Sequence, residues 1–115
     1  MKLQFRGVTV EAGADQFDPT LAFYRAVFGD PKFVEDGAWA PFDAGGVSVN
    51  IAGPREAVGG GAVIQVKTDD LDAAVAFLEE QGGEVVQPPA DGGHQRHAVL
   101  RDPSGTLLAV YSPTT

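Results

Sequence analysis

The 115-residue sequence contains no cysteine and no long apolar run, and each absence excludes a class of protein. Without cysteine there is no disulfide framework, no thiolate zinc site and no thiol nucleophile. No apolar stretch approaches the roughly 18 residues of a membrane-spanning helix. The alternating N-terminus is too short to be a secretory signal. The sequence therefore predicts one small domain, residues 1–115, in the cytoplasm.

Basic residues are also scarce, with 8 Lys and Arg against 16 Asp and Glu and a net charge of −8. Phosphate backbones repel such a surface, and no basic cluster interrupts it, so nucleic acid and anionic membranes are excluded as partners. The acidic balance keeps the chain soluble and mildly favours cationic ligands. Hydrophobic residues make up 43% of the chain, which is enough for a core and too many for disorder.

The chain divides into two halves that follow the same order of strand, helix and three strands. The elements predicted in the first half are a strand at 3–10, a helix capped by Asp18-Pro19 and ended by Gly29, and strands near 32–34, 38–42 and 47–52. Those of the second half are a strand at 62–67, a helix capped by Asp69 or Asp70 and ended by Gly82-Gly83, and strands near 84–87, 96–101 and 106–112.

Constant spacings indicate that the halves are an internal duplication. The helix motif Ala22-Phe23 with Gly29 recurs 54 positions later, and the hairpin motif of Asp43, Gly46 and Ile51 recurs 59 positions later. The sequence therefore predicts two tandem βαβββ units, at about 1–52 and 62–113, joined by a linker at about 53–61. Three consecutive glycines at 59–61 predict a flexible connector.

One amphipathic helix in each half covers one face of its strands, and strand alternation assigns the residues of the other face. A tight turn at 43–46 would pair Phe42 with Val47, placing Trp39 opposite Asn50 and Val47, Val49 and Ile51 against the helix. The same arithmetic places Ala98 opposite Ala109. The predicted open face comprises Phe5, Gly7, Thr9, Glu11, Trp39, Ser48, Asn50, Val63, Gln65, Lys67, Arg96, Ala98, Leu100, Leu107, Ala109 and Tyr111.

The titratable side chains do not form a recognisable catalytic group. His94 and His97 are the only histidines, and their odd spacing puts them on opposite faces of a strand. Both are interpreted as surface or loop residues, so no histidine is expected on the open face. The acidic residues are interpreted as helix caps, as a turn former at Asp102 and as a solvated helix face at Glu79-Glu80.

With Leu21–Gly29, Thr68–Ala74 and Arg101–Leu108, this duplication resembles the vicinal oxygen chelate superfamily of glyoxalases, bleomycin-resistance proteins and extradiol dioxygenases. The resemblance implies an α+β fold, a curved mixed sheet around a cup and a homodimer. It also implies four metal-donor positions, which here hold Gly7 (or Thr9), Asn50 (or Ser48), Val63 and Ala109. None of these is a good ligand for a divalent ion, so no metal and no cofactor are expected.

We therefore interpret the chain as a metal-free member that binds a small organic molecule, as the resemblance to the bleomycin-resistance branch implies. Phe5, Trp39 and Tyr111 would supply apolar contact, and Thr9, Asn50, Gln65 and Arg96 would supply hydrogen bonds. Ser48, Val63 and Ala109 complete the predicted ligand-binding set. Two alternatives stay open: a metal-dependent lyase, isomerase or dioxygenase, and an interaction module whose cup is filled by its own side chains.

Overall fold

A computed structural model describes residues 1–114 and confirms the predicted α+β class. Its elements are β1 (Leu3–Glu11), α1 (Phe17–Phe28), β2 (Trp39–Asp43), β3 (Ser48–Ala52), β4 (Ala62–Thr68), α2 (Leu71–Glu80), β5 (Glu84–Gly92), β6 (Gln95–Arg101) and β7 (Leu107–Pro113). Within these residues, neither helix is long and apolar enough to cross a membrane.

The chain forms two compact units, which we call the first unit (residues 7–63) and the second unit (residues 1–6 together with the chain from 64 onward). In the first unit, β3 pairs in parallel with β1 and antiparallel with β2. In the second unit the strand order is β4-β7-β6-β5, with β6 antiparallel to both of its neighbours. Each unit packs its own helix against one face of its strands.

The core of the first unit forms between α1 and the strands β2 and β3. Phe17 and Leu21 of the helix pack with Ala40, Phe42 and Ile51. Phe17 is 1% exposed and is the first residue of α1, because Gln16 is the N-cap. The predicted cap at Asp18 is therefore wrong. Asp18-Pro19 lies within the first turn, where proline is tolerated because the N–H groups there have no acceptor in the helix.

The strand predicted near residues 32–34 does not form. The Lys32 N–H donates to the carbonyl of Pro41 at 2.8 Å, and an isolated bridge joins Glu35 to Trp39. Pro31 has no N–H to contribute to a strand ladder, and Phe33 remains 52% exposed, so burial does not favour a strand here. The chain instead turns tightly into β2.

The core of the second unit forms around α2. The helix begins after Asp70, whose carboxylate accepts a hydrogen bond from the Ala73 N–H at 3.1 Å, confirming one of the two predicted caps. The buried cluster contains Leu71, Ala74, Val75, Ala98, Leu100 and Val110, with Val66, Leu78, Val85 and Leu108 packed against it. Ala98 and Leu100, predicted on the open face, therefore face the helix.

The two hairpins depart from the predicted registers by different amounts. Phe42 pairs with Val49 rather than Val47, and Trp39 pairs with Ala52 rather than Asn50. A shift of two positions preserves the faces, so Trp39 stays on the face that carries Asn50. Val47, predicted to meet the helix, lies in the loop and is 41% exposed.

The register between β6 and β7 shifts by a single residue, and this reverses the predicted faces of the β6 residues, whereas Ala109 and Tyr111 of β7 keep theirs. Val99 pairs with Ala109, where Ala98 was expected. The cause is a longer loop: the Asp102 carboxylate accepts hydrogen bonds from the Ser104 N–H, the Ser104 hydroxyl and the Thr106 N–H at 2.6–3.0 Å. Asp102 is thus a turn former in the loop, as predicted, but the loop extends to Thr106, because β7 begins at Leu107.

The glycines at 59–61 are not the unconstrained connector that the sequence predicts. Four consecutive N–H groups, from Val58 to Gly61, donate to the carboxylate of Glu11. The Glu11 N–H in turn donates to the carbonyl of Gly61 at 2.7 Å. Hydrogen bonds to a residue about 50 positions away therefore hold this part of the chain.

Candidate functional site

The face of the second unit that points away from α2 carries both aromatic and hydrogen-bonding side chains. We call it the second-unit face, and its residues are Gln65, Lys67, His97, Val99, Ala109 and Tyr111. The assignment follows from alternation, because Val66, Ala98 and Val110 pack in the α2 cluster and their neighbours point the other way. Gln65, Lys67, Ala109 and Tyr111 were predicted on this face, and His97 and Val99 were not.

His97 lies directly opposite Tyr111 in the β6–β7 pair. Its imidazole packs over Gly92 at the end of β5, where a Cβ would lie 2.7 Å from the ring atom Nδ1. The expectation that the open face contains no histidine is therefore wrong. The register error that placed Ala98 on this face also removed His97 from it.

Arg96 shows the opposite error to His97. It was predicted to contact a ligand on the open face, but its side chain lies on the side of the strands that faces α2. Its guanidinium is 3.4 Å from the Asp72 carboxylate and 3.3 Å from that of Asp91. Ser112, its partner on β7, shares this side. Arg96 therefore bridges α2 to β5, and the one-residue register shift explains the wrong assignment.

The corresponding face of the first unit contains a buried polar ladder. The Ser48 hydroxyl donates to Oδ1 of Asn50 at 3.0 Å, and Nδ2 of Asn50 donates to the Thr9 hydroxyl at 3.5 Å. Asn50 is 8% exposed and Thr9 is 3% exposed. Because each group has a partner, its burial carries little penalty. Three predicted site residues are thus brought together, with half-buried Trp39 on the same face.

The three predicted aromatic contacts are divided between the units. Phe5 and Tyr111 belong to the second unit, and Trp39 belongs to the first. Phe5 is 54% exposed, so its ring is accessible, whereas Tyr111 is half-buried. Each unit therefore carries at least one accessible or half-buried aromatic ring beside hydrogen-bonding side chains.

The structure has the α+β class and the two sets of strands, each with one helix, that the resemblance implies. Comparison with known proteins supports the same resemblance. A family model described as a glyoxalase-like domain matches residues 7–111. The chain belongs to this glyoxalase-like family. The structural neighbours support membership of the vicinal oxygen chelate superfamily, which confirms the predicted resemblance.

Two relatives by sequence are mycobacterial. An uncharacterized protein of Mycolicibacterium smegmatis is 33% identical over 105 residues, with 90% of each chain covered. The putative glyoxylase CFP32 of Mycobacterium tuberculosis is 32% identical over 106 residues. The match covers 86% of this chain and 41% of CFP32, so this chain spans about two fifths of that protein.

Two solved structures extend the comparison. A glyoxalase/bleomycin resistance protein/dioxygenase superfamily member from Vibrio splendidus gives a TM-score of 0.73 at 17% identity, covering 96% of this chain and 99% of that one. This likeness shows the fold. The Mn(II)-bound glyoxalase from Novosphingobium aromaticivorans gives 0.63 at 28% identity, covering 95% of this chain and 38% of that one.

Metal enzymes of this superfamily raise the question of whether this glyoxalase-like chain can hold a metal. At Gly7 an added Cβ would lie 2.1 Å from the carbonyl oxygen of Ser48, so no donor side chain fits without moving β3. Thr9 and Ser48 offer neutral hydroxyls, which are poor donors to divalent ions. The amide oxygen of Asn50 already accepts a hydrogen bond from Ser48.

The two remaining donor positions offer no ligand atom. Val63 is an aliphatic side chain with 1% exposure, and Ala109 carries only a methyl group. Across residues 1–114, no three His, Asp or Glu side chains are grouped so that they could hold a metal ion. The residues present therefore do not fit the metal that the family resemblance implies.

An open groove of about 530 Å³ lies in the second unit near the start of β1. Lys2, Lys67 and Asp69 are among its lining residues. The Lys2 N–H donates to the Asp69 carboxylate at 2.8 Å, and this hydrogen bond lowers the pKa of Asp69 below its ordinary value. The groove thus carries charged groups of both signs, in contrast to the mainly apolar and neutral centre of the second-unit face.

Proposed function

We propose that this glyoxalase-like protein binds a small organic molecule in the cytoplasm without a metal ion, and that the second-unit face contacts the ligand. The observation that carries the proposal is the pairing of His97 with Tyr111 beside two small neighbours, Val99 and Ala109. Ala109 occupies a position for which the resemblance implies a metal-binding glutamate. Replacing a carboxylate by a methyl group removes a donor and leaves room for an uncharged part of a ligand.

The chemistry of the face suits a planar molecule with both apolar and hydrogen-bonding parts. The Tyr111 ring offers a stacking surface and a hydroxyl that can donate and accept. The two ring nitrogens of His97 can form hydrogen bonds. Gln65 adds an amide, and Phe5 adds an exposed ring in the same unit. We also propose that Trp39 and Asn50, on the corresponding face of the first unit, contact a small organic ligand, as the sequence predicts.

A thermal-shift screen of purified protein against antibiotics and metabolites would find the ligand. A site filled at 100 times its dissociation constant adds about 2.7 kcal/mol to the free energy of unfolding. Calorimetric titration of His97→Ala should then show binding weakened about tenfold or more, the scale of a lost contact at the centre of a site. His94→Ala, which changes an exposed loop histidine, is the matched control and should bind normally.

Equal affinity in the wild type and the His97→Ala variant, both folded, would contradict the placement of the ligand on the second-unit face. A screen that finds no stabilising compound, while His97→Ala lowers stability as the removal of a packed side chain does, would favour the interaction-module alternative. These two results separate an error in the site from an error in the function.

The second candidate is a metal-dependent enzyme, and the names of the relatives favour it: one is called a putative glyoxylase and one a Mn(II)-bound glyoxalase. The donor positions oppose it, because they hold glycine, amide and aliphatic side chains. Elemental analysis after purification in the presence of added Mn²⁺, Zn²⁺ or Ni²⁺ should give well under one metal ion per chain. A stoichiometric metal that survives dialysis would overturn the metal-free proposal.

The proposed assembly is a homodimer, as the resemblance implies for a short chain. Large apolar side chains that remain exposed support it, among them Phe23 at 63% and Val27 at 55%. Light scattering at micromolar concentrations should therefore give twice the 12.0 kDa mass of the chain. A monomer mass across that range would contradict the homodimer.

A further inference from the structure

Within residues 1–114, four main-chain N–H groups donate hydrogen bonds to the carboxylate of Glu11. The N–H groups of Gly59, Gly60 and Gly61 lie 2.9, 2.7 and 3.3 Å from Oε1, and the N–H of Val58 donates to Oε2. Successive N–H groups that converge on one point form a concave anion site, known as a nest. We call these four N–H groups, from Val58 to Gly61, the connector nest.

The backbone of the connector explains why residues 59 and 61 are glycines. Gly59 and Gly61 have φ values of +89° and +73°, which residues with a Cβ adopt only with strain. These conformations turn successive N–H groups to the same side of the chain. The nest also lies close to the strand that supplies its ligand, because the N–H of Glu11 donates to the carbonyl of Gly61.

We propose that the connector nest is an oxyanion-binding site that the Glu11 carboxylate occupies from within the chain. Four donors on one carboxylate are the arrangement by which proteins bind carboxylate and phosphate ions. Because Glu11 is covalently attached, its effective concentration at the nest excludes free anions. When the Glu11 side chain is removed, the nest accepts a free carboxylate or phosphate ion, and the connector regains its order. The site is independent of the proposed ligand on the second-unit face.

The test is chemical rescue of Glu11→Ala. We expect this variant to melt about 4–8 °C below the wild type, since charge-assisted hydrogen bonds are lost in a chain of this size. Sodium acetate and sodium phosphate, in separate titrations, should restore at least half of that loss with a saturable dependence. Sodium chloride at equal ionic strength should not. The matched control is Glu56→Ala, which removes a carboxylate of the same connector that is paired with Arg55 at 3.6 Å.

Two results would overturn the proposal: recovery that is equal in chloride, or equal recovery in Glu56→Ala. A loss of stability that neither acetate nor phosphate reverses would also overturn it. If Glu11→Ala does not fold, amide hydrogen exchange on the wild type gives a second test. The amides of residues 58–61 should then exchange at least tenfold more slowly than those of an unstructured chain, and unprotected amides would contradict the nest.

Discussion

The contact between Gly92 and His97 makes Gly92→Ala a direct test of the register that builds the second-unit face. An added Cβ would lie 2.7 Å from Nδ1 and 2.8 Å from Cε1 of the imidazole, well inside van der Waals contact. The imidazole ends a side chain and can rotate, so we expect an overpacking cost near the lower limit, about 1–1.5 kcal/mol. Replacing glycine by alanine also stabilises the protein by about 0.5 kcal/mol, because it lowers the conformational entropy of the unfolded chain. The net decrease in the free energy of unfolding is therefore about 0.5–1 kcal/mol.

A double-mutant cycle with His97→Ala isolates this contact. In the His97→Ala background the clash is absent, so Gly92→Ala should stabilise the protein by about 0.5 kcal/mol through the unfolded state. The effect of Gly92→Ala should thus differ between the two backgrounds by about 1–1.5 kcal/mol, measured by urea unfolding. Equal effects within about 0.3 kcal/mol would show that residues 92 and 97 do not touch, and the assignment of His97 to this face would be wrong.

Three further outcomes are expected. The hydrogen bond from the Ser104 hydroxyl lowers the pKa of Asp102 below its ordinary 3.8. The ionised Asp102 carboxylate therefore adds stability above pH 3.8, and this stability is lost as the pH falls through the lowered pKa of the folded state. The difference in Tm between wild type and Asp102→Asn should therefore be constant above about pH 5 and shrink toward pH 3. In urea unfolding, Phe17→Ala should lower the free energy of unfolding by about 3–5 kcal/mol, because it leaves a cavity in the core of the first unit. Emission from Trp39 should change saturably when a ligand binds the face of the first unit that carries Trp39, and unchanged emission at saturation would show that Trp39 does not contact that ligand.

The sequence predicts most elements of both units because their signals are local. Helical spacing, the Asp70 cap and Gly29 each act within a few residues of the structure that they determine. Strand registers depend on loop length, and here the sequence is ambiguous, because Asp43 and Asp102 both stand three positions before a glycine. Asp43 is the last residue of β2 and pairs with Ser48, whereas Asp102 lies outside its strand.

Hydrogen bonds within the loop cause this difference between the hairpins. Asp43 has one loop partner, the Gly46 N–H at 2.8 Å, which a four-residue loop accommodates. Asp102 binds Ser104 and Thr106, and its own N–H donates to the Thr106 carbonyl at 2.9 Å. The connector nest escapes prediction for another reason: its acceptor, Glu11, lies 47–50 positions from its donors, so no local pattern joins them.

The loop between β6 and β7 is one residue longer than the loop between β2 and β3. This extra residue changes which positions of the second half correspond to those of the first. Residues of β3 recur 59 positions later in β7, as the sequence indicates, but residues of β2 recur 58 positions later in β6. Ala40 opposite Ile51 thus corresponds to Ala98 opposite Val110, and all four are fully buried against their helices.

The next pair in each hairpin points the other way: Trp39 opposite Ala52 corresponds to His97 opposite Tyr111. In each unit this position holds a ring on the face that the helix leaves free. From the sequence, Trp39 is selected as a ligand contact because it lies on the face that the helix does not cover. His97 lies 58 positions later at the corresponding place in β6, so the same reasoning selects it as well.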